Sequence, residues 1–151
     1  MKEAIVGHWK TRAAKGVAVA LLADEFRRAE DDLLRWQIGD TLQTVVTPEQ
    51  HDVLLALAED QRYGMSRQML IDNLWRVKST RAEQVLTRAL TDPDVALHAG
   101  SALRRLTGND EAARRLAALV DHDDERVARA ARVNLKRAER ALARQRKAPS
   151  G

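Results

Sequence analysis

A leucine returns along this chain at nearly constant intervals. Leu42, Leu74, Leu103 and Leu135 stand 32, 29 and 32 residues apart. Four positions before each lies an apolar or small partner: Ile38, Leu70, Ala99 and Ala131. A second series keeps a similar step, at 35, 33 and 30 residues. Leu22, Leu57, Leu90 and Val120 each precede an acidic turn, the third being Asp92-Pro93-Asp94 and the fourth Asp121-His122-Asp123-Asp124. Two aligned features at a period near thirty predict repeated helical hairpins. One hairpin cannot hide its own apolar stripe, whereas neighbours stacked together bury a continuous seam.

The apolar residues recur at helical spacing almost throughout, and no stretch alternates with period two for long. Alanine, leucine and arginine dominate, all good helix formers, and aromatics are only 3%. Gly16, Thr47-Pro48, Gly64, Ser79-Thr80, Asp92-Pro93 and Gly108-Asn109 punctuate the pattern. Thr47 with Gln50, and Thr80 with Glu83, have the spacing of capping boxes. The helices expected are about 2–14, 17–28, 30–46, 48–60, 64–78, 80–91, 93–107, 110–121 and 124–146. In the last, Val127, Ala131, Leu135, Ala138 and Leu142 form the inward stripe.

Residues 80–107 and 110–138 resemble HEAT repeats of the short bacterial type, the PBS-lyase HEAT-like repeats. The text that carries the resemblance is Val85-Leu86, Leu90, Asp92-Pro93-Asp94, Val95, Ala99, Ala102-Leu103 and Leu106. The next copy runs Leu116, Leu119-Val120, Asp121, Asp124, Val127, Ala130-Ala131 and Leu135. Residues 17–46 and 48–78 match more loosely and lack the Asp-Pro-Asp turn. The resemblance implies an all-α fold: a right-handed α-α superhelix (solenoid) of about four HEAT-like hairpins plus an N-terminal helix. It implies one domain over residues 1–147, with 148–151 a flexible tail. Helix 2–14, with Ile5, Val6 and Trp9, then serves as a cap on the first pair or as a dimer contact, or the chain is a piece of a longer solenoid.

In such a stack the second helices line the concave face. Residues two, six and seven before the aligned leucines put Arg35, Trp36, Asp40, Arg67, Gln68 and Asp72 there, and Trp75 follows Leu74. A tryptophan among fixed charges is the composition of a binding hot spot. The competing reading packs the tryptophans at the helix seam and leaves the charges as solvated faces. Asp60-Gln61-Arg62-Tyr63-Gly64 is a second candidate, against a hairpin turn with Tyr63 packed on a neighbour.

Charge is uneven. Residues 1–78 hold 11 basic and 12 acidic side chains, 79–124 hold 6 and 8, and 125–151 hold 9 and 2, so the last segment alone carries +7. Arg129, Arg132, Lys136, Arg140 and Arg144 could form a phosphate-binding stripe, against a solubilising terminal helix. That helix has no aromatic residue on which a base could stack.

Catalytic and metal signals are weak. No cysteine is present, and His8, His51, His98 and His122 lack paired ligand spacing. His122 lies in an acidic run that reads as a hairpin turn. No phosphate loop or nucleophile elbow occurs, so no cofactor and no metal is expected. The longest apolar run, residues 17–23, is too short to cross a bilayer, so a cytoplasmic protein without membrane contact is expected. The function expected is a non-enzymatic binding module or scaffold that engages another protein through the concave face, as monomer or homodimer. The alternative is a nucleic-acid-binding HEAT-like protein using the basic C-terminal helix or a concave Trp/Asp/Arg cleft.

Overall fold

The computed structural model describes residues 12–148, with side chains from residue 16 onward. Helix follows helix throughout, and no strand occurs among the described residues. The expected helix 2–14, with its capping or dimerising role, and the tail after Ala148 lie outside them. The chain divides after Leu70 into two compact units.

In the first unit, helix α1 (Arg12–Arg28) pairs with α2 (Asp32–Val45). Gly16 does not interrupt α1, contrary to the expected break. A Cβ there would stand 3.2 Å from Gln50 Nε2, so the glycine admits a close approach instead. Asp31 caps α2 by accepting a hydrogen bond from Leu34 N at 2.7 Å. A short 3-10 turn, Pro48–Gln50, leads into α3 (His51–Glu59). Its start is fastened by Gln50 Oε1, which accepts from Thr47 N at 3.3 Å. The core is Val19, Ala23, Phe26, Leu42, Leu54, Leu57, Ala58 and Leu70, all buried. Tyr63 meets the Phe26 ring edge-on, with centroids 5.0 Å apart.

The single helix expected over 64–78 is broken into three pieces. A 3-10 stretch, Gln61–Arg67, precedes α4 (Gln68–Asn73), and a second 3-10 turn, Leu74–Arg76, follows it. Gly64 causes the first break with φ 48° and ψ −132°, a conformation reserved for glycine. Lys78 then takes φ 50° without being glycine.

The second unit contains α5 (Thr80–Ala89), α6 (Ala96–Thr107), α7 (Asn109–Ala117) and α8 (Glu125–Lys147). α5 pairs with α6, and α7 packs on both α6 and α8. Ser79, one residue earlier than expected, caps α5 by accepting from Ala82 N at 3.1 Å. Glu83 therefore falls outside a capping box and reaches Arg115 on α7 instead, at 2.5 Å. Small residues let these helices approach closely: Ala82, Ala96, Ala99, Ala102, Ala112, Ala128, Ala131 and Ala138 are buried around Leu74, Leu86, Leu103 and Leu116.

Leu42, Leu74 and Leu103 are completely buried, as their spacing implies. Leu135 is not. It is half-buried, and Asn134 beside it is fully buried. The inward arc of α8 is Val127, Ala131, Asn134 and Ala138, which rotates Leu135 and Leu142 to its flank. Asn134 fits because it meets a glycine. Its Nδ2 donates to Leu97 O of α6 at 3.0 Å and to Ala130 O at 3.2 Å. A Cβ on Gly100 would lie 2.5 Å from that nitrogen.

Candidate partner-binding groove

Within the first unit, two elements build one open groove. The first turns of α2 carry Asp32, Leu33 and Trp36, the last two spaced three apart and so on one face. The kink at Gly64 turns the following residues so that Met65 faces solvent and Ser66 faces inward. Ser66 Oγ, buried, stands 3.1 Å from Asp32 O and 3.2 Å from Asp32 Oδ1, which ties the segment to the start of α2. The groove between them encloses about 310 Å³ and is lined by Asp32, Leu33, Trp36, Met65, Ser66 and Gln68.

Its walls are apolar and open. Leu33 is 65% exposed, Met65 60% and the adjacent Leu34 49%, while Trp36 is half-buried. Two large apolar side chains, Leu33 and Met65, left in water beside a tryptophan are the arrangement that interfaces use. A thioether adds adaptability, because methionine repacks against varied shapes.

Only part of the expected constellation gathers here. Trp36 and Gln68 share the groove. Asp40 is half-buried further along α2, where its carboxylate accepts from Gln43 Nε2 at 3.3 Å. Asp72 and Trp75 belong to the second unit. There Asp72 lies 4.0 Å from Arg105, and the Trp75 ring sits beneath the guanidinium groups of Arg76 and Arg105 at 5.4 and 5.6 Å. Trp75 also lines a separate groove of about 650 Å³ with Lys78, Thr80, Glu83 and Arg115.

The two arginines placed on the concave face are corrections. Arg67 is buried, only 2% exposed. Its Nε donates to Gly64 O at 3.0 Å and its Nη1 to Ala58 O at 3.2 Å, at the end of α3. Arg35 is treated alike. Its Nε donates to Phe26 O at 3.1 Å, a second nitrogen donates to Ala29 O, and a third meets Asp32 at 2.8 Å. Its guanidinium lies 5.3 Å above the Tyr63 ring. Both side chains satisfy carbonyls that a helix end leaves without partners. A five-donor guanidinium on a long stem reaches them from a position that helical spacing alone assigns to solvent. Arg67 is therefore engaged in the fold and not presented to a concave Trp/Asp/Arg cleft. The loop around Tyr63 is likewise structural, with Tyr63 packed between Phe26 and Arg35.

Leu33 and Met65 escaped the sequence reading because apolar residues at helical spacing were assigned inward. A signal did exist: Leu33 and Leu34 are adjacent, and neighbours in a helix point about 100° apart, so both cannot face one core.

Among the other groups, His98 on α6 has its pKa held below the ordinary histidine value by burial, with the Asp72 carboxylate pulling the other way. His122 Nδ1 accepts from Asp124 N at 3.0 Å, inside the turn that starts α8. Among the described residues, no three histidine or carboxylate side chains come together as a metal site. On α8, Arg129, Lys136 and Arg140 are exposed, whereas Arg132 pairs with Glu125 at 2.5 Å and donates to Val120 O at 2.7 Å. No helix among the described residues is long and apolar enough to cross a membrane.

Comparison with protein-family models, with curated proteins and with solved structures finds no match for this chain.

Proposed function

We propose that this chain is a non-enzymatic binding module of HEAT-like helical hairpins, and that it engages another protein through the groove at Leu33, Trp36, Met65 and Gln68. The single observation that carries the reading is the exposure of Leu33 and Met65 beside a half-buried tryptophan. Burying such surface would return roughly 25 cal/mol per Å², so leaving it in water is unfavourable unless a partner covers it.

The repeat reading has support from the two arginine clamps. Arg35 reaches back nine residues to Phe26 O, and Arg67 reaches back nine to Ala58 O. The second clamp is the first shifted by 32 residues, the same step as Leu42 to Leu74. An arrangement of this kind suits hairpins stacked as a right-handed solenoid.

The partner has a stated chemistry. Residues 12–70 carry 7 basic and 10 acidic side chains, a sum of −3. Asp32 stands at the groove with its side chain 83% exposed. A segment presenting an apolar side chain beside a basic one, such as one face of an amphipathic helix, fits both. The test is quantitative affinity capture with the full chain against Trp36→Ala and Met65→Glu variants, with circular dichroism to show that each variant folds. A specific partner should be lost at least tenfold from both variants. A partner retained equally by native chain and variants would remove the groove as the site.

A further inference from the structure

We propose that the outward face of α8 is a docking ridge for the phosphate backbone of double-stranded nucleic acid, bound without regard to sequence. The proposal is independent of the groove in the first unit. It rests on charge that nothing in the fold uses. Residues 71–148 carry 17 basic and 11 acidic side chains, a sum of +6, and α8 alone contributes nine of those cations against two acids.

α8 turns Val127, Ala131, Asn134 and Ala138 inward, so its opposite face is left to solvent. That face presents Arg129, Lys136, Arg137, Arg140 and Arg144, all exposed. None of them forms an ion pair with a described residue. Arg126 and Arg132 on the same helix, by contrast, are paired with Asp94 and Glu125. From Arg129 to Arg144 the ridge extends about 22 Å at 1.5 Å per residue. The crowding continues onto α6. Arg104 is partly buried, and that burial, together with nearby Arg137 and then Arg105, lowers its pKa. Its guanidinium bonds to neutral Asn109 Oδ1 at 3.2 Å, not to a carboxylate. Like charges set side by side without an acid repel each other, and an external polyanion relieves this.

Side-chain chemistry selects the occupant. Four of the five ridge cations are arginine, whose planar fork grips phosphate through two parallel hydrogen bonds. The ridge carries no aromatic residue for stacking, which single-stranded binding relies on. Its apolar content is slight for insertion among lipids: Val133 on the ridge is half-buried, and Leu135 and Leu142 lie half-buried on the flank. A regular row of phosphates on a stiff duplex answers a regular row of guanidinium groups on a straight helix.

The experiment measures fluorescence anisotropy of a labelled 24-base-pair duplex of arbitrary sequence, titrated with the full chain from 50 to 200 mM NaCl. Contact with four phosphates gives a logarithmic salt slope of about −3.6, a loss of affinity of about 150-fold over that range. The triple variant Lys136→Gln, Arg140→Gln, Arg144→Gln removes about three contacts and should bind at least 30-fold more weakly at 50 mM, with an unchanged melting curve by circular dichroism. A control removing three cations elsewhere (Arg27→Gln, Arg28→Gln, Arg62→Gln) should keep affinity within about threefold. Absence of duplex binding at 50 mM overturns the proposal, as does an equal loss in ridge variant and control. Tighter binding of a 24-nucleotide single strand would also overturn it. So would binding to vesicles containing 30% phosphatidylserine, or competition by polyglutamate, that equals duplex at matched charge concentration.

Discussion

Replacing Gly100 by alanine separates the packing argument from simple helix propensity. Propensity alone says that Gly100→Ala in the middle of α6 stabilises by about 1 kcal/mol. The structure says the opposite. The new methyl would lie 2.5 Å from Asn134 Nδ2, 2.8 Å from its Cγ and 3.1 Å from its Cβ. Rotating the amide relieves the first two contacts but not the third, because Cβ is fixed by the backbone of α8. If the amide leaves, its hydrogen bonds to Leu97 O and Ala130 O are lost at about 1 kcal/mol each. If α6 and α8 move apart instead, overpacking costs about 1–3 kcal/mol. Subtracting the propensity gain leaves a net loss of about 0–2 kcal/mol, about 1 if the amide is the group that moves. Urea denaturation followed by circular dichroism measures this. The decisive arm is a double-mutant cycle with Asn134→Ala, which removes the amide. In that background the two amide contacts are gone and only the 3.1 Å approach to Cβ remains, so Gly100→Ala should cost at least about 1 kcal/mol less than in the native background. A stabilising Gly100→Ala in the native background, or the same change in both backgrounds, would refute the glycine-and-amide contact.

Three further outcomes follow from named residues. Arg67→Met removes two charge-assisted hydrogen bonds to Gly64 O and Ala58 O and should lower stability by about 2–3 kcal/mol; a change below about 0.5 kcal/mol in urea denaturation would contradict the clamp. Lys78 holds φ 50°, so Lys78→Gly should raise stability by about 0.5–1 kcal/mol while Lys78→Ala gives no gain, both read from thermal melts. His98 has a folded-state pKa below its unfolded value through burial, so the unfolded chain takes up the proton first. Stability should therefore fall as pH drops below about 6.5, at no more than about 1.4 kcal/mol per pH unit, and His98→Gln should remove that part of the slope in stability measured from pH 7.5 to 5.

The all-helical architecture was legible because apolar spacing, capping residues and glycines pointed the same way. Burial of Leu42, Leu74 and Leu103 followed from the period. Leu135 did not obey it, and the reason lies in composition. α8 is lined by Ala128, Ala130, Ala131 and Ala138, and alanines on several faces allow the helix to turn so that its few larger side chains, Leu135 and Leu142, fall at the flank. The partner surface then decides. Gly100 opposite leaves room for a polar amide that reaches a backbone carbonyl, and Asn134 takes the place. The groove was half legible. Trp36 and Gln68 were placed together by their repeat positions, but Met65 reaches the same groove only because Gly64 reverses the chain, and no periodicity encodes that reversal.

Arginine was the residue hardest to place, and a single physical rule accounts for its two fates. Where a helix ends without other donors, a guanidinium one hairpin turn later is drawn to the free carbonyls, as Arg35 and Arg67 are. The equivalent positions in the next two repeats are Ala96 and Ala128, and there the turns are finished by other means. The turn after α5 closes on itself, with Asp92 Oδ1 accepting from Asp94 N at 3.1 Å and Ala96 N donating to Asp92 O at 2.8 Å. After α7, Arg132 rather than residue 128 supplies the donor, to Val120 O. Once those carbonyls are satisfied, the later arginines of α8 form no ion pair with a described residue, although Glu139 stands beside Arg140 in sequence. They remain in solvent, and with Lys136 the arginines Arg129, Arg137, Arg140 and Arg144 are the exposed, unpaired cations on which the proposed ridge rests.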